Sequence, residues 1–142
     1  MTDKSLMRQE IEEIPEAVER LLAADAVPEV GRAVARADPA FFITVARGSS
    51  DHACTFFKYA AELVLGRVAA SVGPSVASVY AAPLRLSGAV SLSVSQSGGS
   101  PDIVEMTRAA RSGGAMTVAL TNTAGSPLAQ AAEHGVDICA GP

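Results

Sequence analysis

The sequence predicts an α/β fold: a three-layer, doubly wound sheet of five short parallel strands in the order 2-1-3-4-5, preceded by N-terminal helices. Three observations carry that expectation. After residue 40, short apolar runs alternate with helix-like stretches, which implies right-handed β-α-β crossovers and a parallel sheet. The five apolar runs are short and bounded by Gly, Ser, Pro or Asn, as buried strands are. The 142 residues are the length of one domain, and 49% apolar against 18% charged residues is enough to build a core. The order 2-1-3-4-5 is the commonest for a five-stranded sheet of this size.

The elements follow in order. Met7, Ile11, Ile14, Val18, Leu21 and Leu22 recur at helical spacing between Leu6 and Ala24. Pro15 divides that run and is expected to open a second helix. Residues 27–37 form another short helix before Asp38-Pro39, which makes residues 1–40 an N-terminal helical segment. F-F-I-T-V-A (41–46) is the first strand. After the loop R-G-S-S, residues 51–65 form a helix that ends near Gly66. Residues 68–72 are a weak, Ala/Ser-rich strand, and 74–80 a helical turn. A-V-S-L-S-V (89–94) is the third strand, and residues 101–112 a helix closed by Gly113-Gly114. M-T-V-A-L (116–120) is the fourth strand, residues 127–132 a short helix, and 136–139 the last strand.

In this order strands 1 and 3 are neighbours and the helices after them pass to opposite faces. The crevice between their carboxyl ends is where such sheets bind ligands. The loops that meet there are R-G-S-S (47–50) and S-Q-S-G-G-S (95–100). Ser100, followed by Pro101 and Asp102, has the pattern of a helix N-cap. Capping accounts for one serine and one acid. It leaves Ser95, Gln96, Ser97 and two adjacent glycines without a purpose. Glycines let a backbone approach a ligand and expose its N–H groups, a helix N-terminus favours an anion, and hydroxyls and an amide add neutral donors. A phosphate held without Lys or Arg is the economical reading. Ser49 and Ser50 pose the same choice, cap or ligand donor, and pattern alone does not decide it.

Other chemistries lack their signatures. There is no G-x-x-x-x-G-K-[ST] and no G-x-G-x-x-G after the first strand. The loops carry no aromatics to sandwich a flavin, and no cofactor is expected. Cys54, Cys139, His52 and His134 have no metal-ligand spacing; the cysteines are expected to be buried, reduced thiols and the histidines surface helix residues. Ser50-Asp51-His52 holds triad residue types, but consecutive residues cannot face one another. The net charge is −4 without a Lys/Arg cluster, so neither nucleic acid nor an anionic membrane is an expected partner. No apolar stretch reaches ~20 residues and the N-terminus has no apolar signal region, so a cytoplasmic location is expected.

Several stretches together resemble the SIS (sugar isomerase) domain family, in particular the isomerase part of glutamine:fructose-6-phosphate amidotransferases and the stand-alone aminosugar-phosphate deaminases and isomerases. M-R-Q-E-I-E-E-I-P (7–15) is similar to the family's opening helix, R-G-S-S (47–50) to its first ligand loop, and S-Q-S-G (95–98) to its most specific signature. T-N-T-A-G-S-P-L (121–128) and A-G (140–141) follow in the family's order. The resemblance implies that Ser95, Gln96, Ser97 and Ser100 bind the phosphate of a sugar phosphate, and that Gly48, Ser49 and Ser50 face the sugar. It implies fructose 6-phosphate or glucosamine 6-phosphate as ligand and a homodimer. One departure stands out: the family often has S-Q-S-G-E-[ST], and here Gly99 takes the acid's place.

The resemblance also implies that residues 41–142 are the first of two SIS domains. The family's proton-shuttling Glu, ring-opening His and Lys belong to a continuation that Ala140-Gly141-Pro142 does not reach. No glutamine-hydrolysing domain precedes residue 7, so ammonia from glutamine is not implied. Glu62 and Glu105 are expected in helix bodies, away from the crevice, which leaves no acid–base candidate within these residues. The expected function is therefore the phosphosugar-binding part of an isomerase or deaminase. The alternative is a sugar-phosphate sensor without chemistry. A DNA-binding helix-turn-helix would mark a sensor, and the first 40 residues are too acidic for one.

Overall fold

The computed structural model describes residues 5–141. Five parallel strands form one sheet in the order β2-β1-β3-β4-β5: β1 Phe41–Val45, β2 Ala69–Ser71, β3 Ala89–Val94, β4 Met116–Thr121 and β5 His134–Asp137. The register sets Val45 beside Ser93 and Val94 beside Leu120, so β1, β3 and β4 end at one level. Among the described residues the α-helices are α1 Leu6–Ala23, α2 Ala26–Ala37, α3 Ser50–Ala60, α4 Ser75–Ser78, α5 Pro101–Ser112 and α6 Pro127–Ala131. The three-layer, doubly wound sheet expected from the sequence is present.

Alternate residues of the strands feed two cores, as the period of two requires. On one face Ile43, Val45, Ala89 and Ala119 meet Ile103, Met106 and Ala110 of α5 and Leu128 of α6. On the other, Phe42, Val90, Leu92 and Val118 meet Phe57 of α3 and Val30 and Val34 of α2, with the Phe42 and Phe57 rings edge to face at 5.3 Å. The helices that follow β1 and β3 thus lie on opposite faces. The face under α2 is incompletely filled. An apolar cavity of about 690 Å³ remains there, bordered by Leu22, Val34, Phe42, Val90, Val118 and Val136.

Four elements differ from the sequence reading. Pro15 does not divide the first helix; α1 runs unbroken through it. Proline's fixed φ is compatible with a helix, and the one hydrogen bond it removes would have ended on the carbonyl of Ile11, an exposed residue that water can serve. The helix after β1 changes character at its end: α3 passes into a π turn, Ala61–Leu65, which closes on Gly66 at φ +63°. The turn between β2 and β3 is shorter than 74–80, only Ser75–Ser78. The last strand is His134–Asp137 rather than 136–139, so His134 lies in a strand and not in a helix. The apolar Val136 and Ile138 draw the eye two residues too far. Pairing with β4 begins at Val118↔His134, and the Asp137 carboxylate accepts the Cys139 N–H at 2.9 Å and turns the chain away, with Cys139 at φ +54°.

Candidate functional site

Strands β1 and β3 lie side by side in the middle of the sheet, and the loops leaving their carboxyl ends share one crevice. The first loop turns at Gly48, whose φ of +57° is left-handed, and enters α3 at Ser50. The second runs from buried Ser95 through exposed Gln96 and Ser97 to Ser100 and enters α5 at Pro101. An ion pair between the Arg47 guanidinium and the Asp102 carboxylate links the two loops directly. Gly48, Ser49 and Ser50 directly follow Arg47 in the first loop, and Ser95, Gln96, Ser97 and Ser100 precede Asp102 in the second.

Ser49 and Ser100 occupy the N-cap positions of α3 and α5, but neither hydroxyl makes a capping bond. Elsewhere in the chain serine caps in the ordinary way: Ser5 Oγ accepts from the Arg8 N–H and Ser126 Oγ from the Ala129 N–H, each at 3.3 Å. The first turns of α3 and α5 thus have no side-chain acceptor, although in α3 the Asp51 and His52 N–H groups donate to the Gly48 and Ser49 carbonyls, each at 3.1 Å, and the two serine hydroxyls are uncommitted. That arrangement suits an anion. Ser97 is partly engaged, since its Oγ accepts the Gly99 N–H at 3.3 Å.

The second loop is anchored from behind by the β4–α6 connection. The Gln96 carbonyl accepts the Asn122 N–H at 2.9 Å and the Thr121 hydroxyl at 3.2 Å, and the Gly98 carbonyl accepts the Leu128 N–H at 2.9 Å. Gly98 itself is buried at φ +61°. A Cβ there would lie 2.6 Å from Ser126 Cβ and 2.7 Å from Thr121 Oγ1. Gly99 is different: it is exposed, outside the left-handed region, and a Cβ would meet only Ser97 Oγ, at 3.7 Å. A Cβ at Gly99 is therefore accommodated without displacing a neighbour. Gly98 is thus a packing requirement and Gly99 is free space.

Two residues that the sequence reading gave no role stand out. Arg47 brings a cation to the crevice, held by Asp102. Asn122 joins the second loop to the peptide after β5. Both sit inside motifs already singled out, R-G-S-S and T-N-T-A-G-S; partner geometry, absent from a sequence, is what distinguishes them. Glu62 and Glu105 lie where expected, in the π turn and on the exposed side of α5, where Glu105 is 3.8 Å from Arg108. His52 is exposed on α3. Cys54 is buried in α3, and burial, with the Asp51 carboxylate nearby, pushes its thiol up to about 11 despite a hydrogen bond with Thr44. Cys139 is only half-buried, so the expectation of two buried thiols holds for Cys54 alone; both are free. Among the described residues no group of three or more His, Cys, Asp or Glu side chains is placed to hold a metal ion, and no helix is long and apolar enough to cross a membrane.

Comparison with known proteins agrees with this architecture. The SIS domain family profile matches residues 38–142. The glutamine–fructose-6-phosphate aminotransferase (isomerizing) of Sulfurisphaera tokodaii is 29% identical over 141 residues, 96% of this chain and 23% of that enzyme. The crystal structure of a candidate phosphosugar isomerase from Silicibacter pomeroyi DSS-3 superimposes with a TM-score of 0.93 at 62% identity, over 96% of this chain and 42% of that one. The sugar isomerase domain of the RpiR transcription factor from Sphaerobacter thermophilus follows at a TM-score of 0.75 and 25% identity, over 94% of this chain and 75% of that one. The chain thus spans less than half the length of the first two proteins. With a doubly wound sheet in the order 2-1-3-4-5, paired serine-rich loops at its central crevice and a family match over most of its length, this chain belongs to the SIS domain family.

Proposed function

We propose that this chain binds a sugar phosphate at the crevice between β1 and β3, as the phosphate-anchoring SIS domain of an aldose–ketose isomerase or aminosugar-phosphate deaminase or aminotransferase acting on fructose 6-phosphate or glucosamine 6-phosphate. The observation that carries the reading is the pair of N-cap serines, Ser49 and Ser100, that do not cap. Ser95, Gln96, Ser97 and Ser100 hold the phosphate with the first turn of α5, and Gly48, Ser49 and Ser50 face the sugar. Arg47 offers a counter-charge that Asp102 already keeps in place. The similarity to an enzyme named for fructose 6-phosphate supports that substrate class.

An enediol mechanism needs an acid–base group beside C1 and C2 of the open-chain sugar. Glu62 and Glu105 lie in helix bodies and the Asp102 carboxylate is committed to Arg47, so in this proposal the proton-moving groups belong to another part of a two-domain protein, with residues 41–142 as the first SIS domain and the helical segment before them as its lead-in. Homodimerisation is part of the same proposal. The exposed apolar stripe of Phe56, Tyr59, Leu63 and Val64 on α3 and its π turn is the surface that a second copy would cover. A second reading, a sensor that binds the same ligands without chemistry, is favoured by the similarity to the RpiR transcription factor.

Calorimetry with fructose 6-phosphate and with fructose tests the binding reading. Ser97→Ala should weaken binding of the phosphate ester by about 1–3 kcal/mol, because a charged oxygen loses a donor, while free fructose should bind poorly to both forms. Equal affinity for fructose and its 6-phosphate refutes it. Incubation of residues 1–142 with glucosamine 6-phosphate in deuterated water should give no deuterium at C2 above buffer; uptake would place a base inside this chain.

A further inference from the structure

Beyond Ile138, whose N–H still reaches the Thr121 carbonyl at 3.0 Å, the chain leaves the sheet, and the peptide Cys139–Gly141 is held by side chains. The Asn122 amide grips it at both ends: Oδ1 accepts the Ala140 N–H at 2.8 Å, and Nδ2 donates to the Gly141 carbonyl at 2.6 Å. Arg20 of α1 holds the other side, donating from Nε and Nη2 to the Cys139 carbonyl at 3.2 and 3.1 Å while paired with Glu13 at 2.8 Å. The backbone N–H of the same Asn122 is bonded to the Gln96 carbonyl. One residue therefore fastens the candidate phosphate loop on one side and the departing peptide on the other. Gln96, Asn122, Ala140 and Gly141 also border one cavity of about 860 Å³ beneath α1.

We propose that Asn122 is a positioning residue that couples occupancy of the Ser95–Ser100 loop to the position of the Cys139–Gly141 peptide. The inference rests on the sugar-phosphate reading given above. An anion that draws the Ser97 and Gly99 peptides inward moves the neighbouring Gln96 carbonyl. Both donors to that carbonyl belong to consecutive residues, Thr121 and Asn122, so the end of β4 must follow or give up two hydrogen bonds. The Asn122 side chain then carries the displacement to Ala140 and Gly141, and Arg20 carries it from Cys139 to α1. Spatial connection alone does not establish coupling; a response at the far end that depends on the middle does.

The test uses the full chain labelled with ¹⁵N and titrated with fructose 6-phosphate. In the unaltered chain the amides of Gly99, Ala140 and Gly141 should titrate with one common Kd. In Asn122→Ala, Gly99 should still titrate while the Ala140 and Gly141 shifts fall below about one tenth, and without ligand the Ala140 amide should exchange with deuterium roughly tenfold faster, the loss of one net hydrogen bond. Asn122→Asp keeps the acceptor for Ala140 but sets a carboxylate oxygen against the Gly141 carbonyl, so relative to Asn122→Ala it should restore the shift and slow the exchange at Ala140 and not at Gly141. This variant and the unaltered chain decide the matter if the alanine variant does not fold. Gly99 moving without Ala140 and Gly141, or all three moving alike in Asn122→Ala, overturns the coupling and leaves the binding site standing. Unchanged exchange at Ala140 in Asn122→Ala overturns the clamp. No shift at Gly99 in the unaltered chain overturns the sugar-phosphate reading and the coupling with it.

Discussion

Adjacent glycines in the S-Q-S-G-G-S loop should respond to the same substitution in opposite ways. Gly98→Ala puts a side chain on a residue at φ +61°, which costs an L-residue about 1–2 kcal/mol. The new Cβ also lies 2.6 Å from Ser126 Cβ and 2.7 Å from Thr121 Oγ1, neither of which is the tip of a long flexible chain. Relieving such overlap in a packed interior costs about 1–3 kcal/mol more. Ser126 caps α6 and Thr121 holds the Gln96 carbonyl, so the strain falls on the fastening of the loop itself. The total is about 2–5 kcal/mol, or a fall in Tm on the order of 10 °C for a chain of this length. Gly99→Ala should change stability by less than about 0.5 kcal/mol, since its Cβ meets only Ser97 Oγ, at 3.7 Å. Urea titration followed by circular dichroism measures both. Equal destabilisation by the two substitutions, or a milder effect at Gly98, would refute the packing argument.

Three further outcomes follow from other parts of the fold. Buried Ser93 and Thr107 share a hydrogen bond of 2.7 Å, so Thr107→Val should cost about 1–3 kcal/mol and adding Ser93→Ala should recover part of it, a coupling read from a double-mutant cycle in urea. Native protein should react with a thiol reagent at Cys139 and not at Cys54; and because the Cys54 pKa rises from 9.0 to about 11 on folding, the unfolded chain sheds that proton first, so this group makes stability fall as pH rises from 9 towards 11, an effect that Cys54→Ala should remove from the pH dependence of urea midpoints. If a second copy covers the α3 stripe, Leu63→Asp should shift the sedimentation of the protein to a monomer while leaving its circular dichroism unchanged; an unaltered profile places the interface elsewhere.

Strand order and the meeting of the two serine-rich loops were legible because both depend on patterns local to the chain. Alternating apolar runs and helices limit a parallel sheet to few topologies, and one of these sets R-G-S-S against S-Q-S-G-G-S. What sequence could not supply was partner identity. Ser100 has every local mark of a cap, with Pro101 and Asp102 after it, yet Asp102 turns to Arg47 and the serine hydroxyl makes no capping bond. His134, expected on a helix surface, becomes strand with Gly135 because β4 offers them a pairing edge. Pro15 marks a break by local rules and is tolerated because its helix is exposed on most sides. The same lack of long-range information hid Asn122, whose three partners lie 18 or more residues away.

Helix α1 has no buried residue, although six of its apolar side chains, Leu6, Met7, Ile11, Ile14, Val18 and Leu22, are each about half exposed or more. In proteins, tertiary packing of an apolar face supplies most of a helix's stability. Here little of that packing is present, and α1 is held to the peptide after β5 by the hydrogen bonds of Arg20 to the Cys139 carbonyl, which predicts that its amides exchange faster than those of the sheet. In folding terms it is a late addition: the two cores of the sheet close without it. In energetic terms its docking is set by whatever shields those six side chains, which makes the amino-terminal helix the element of this chain whose placement is most sensitive to its surroundings.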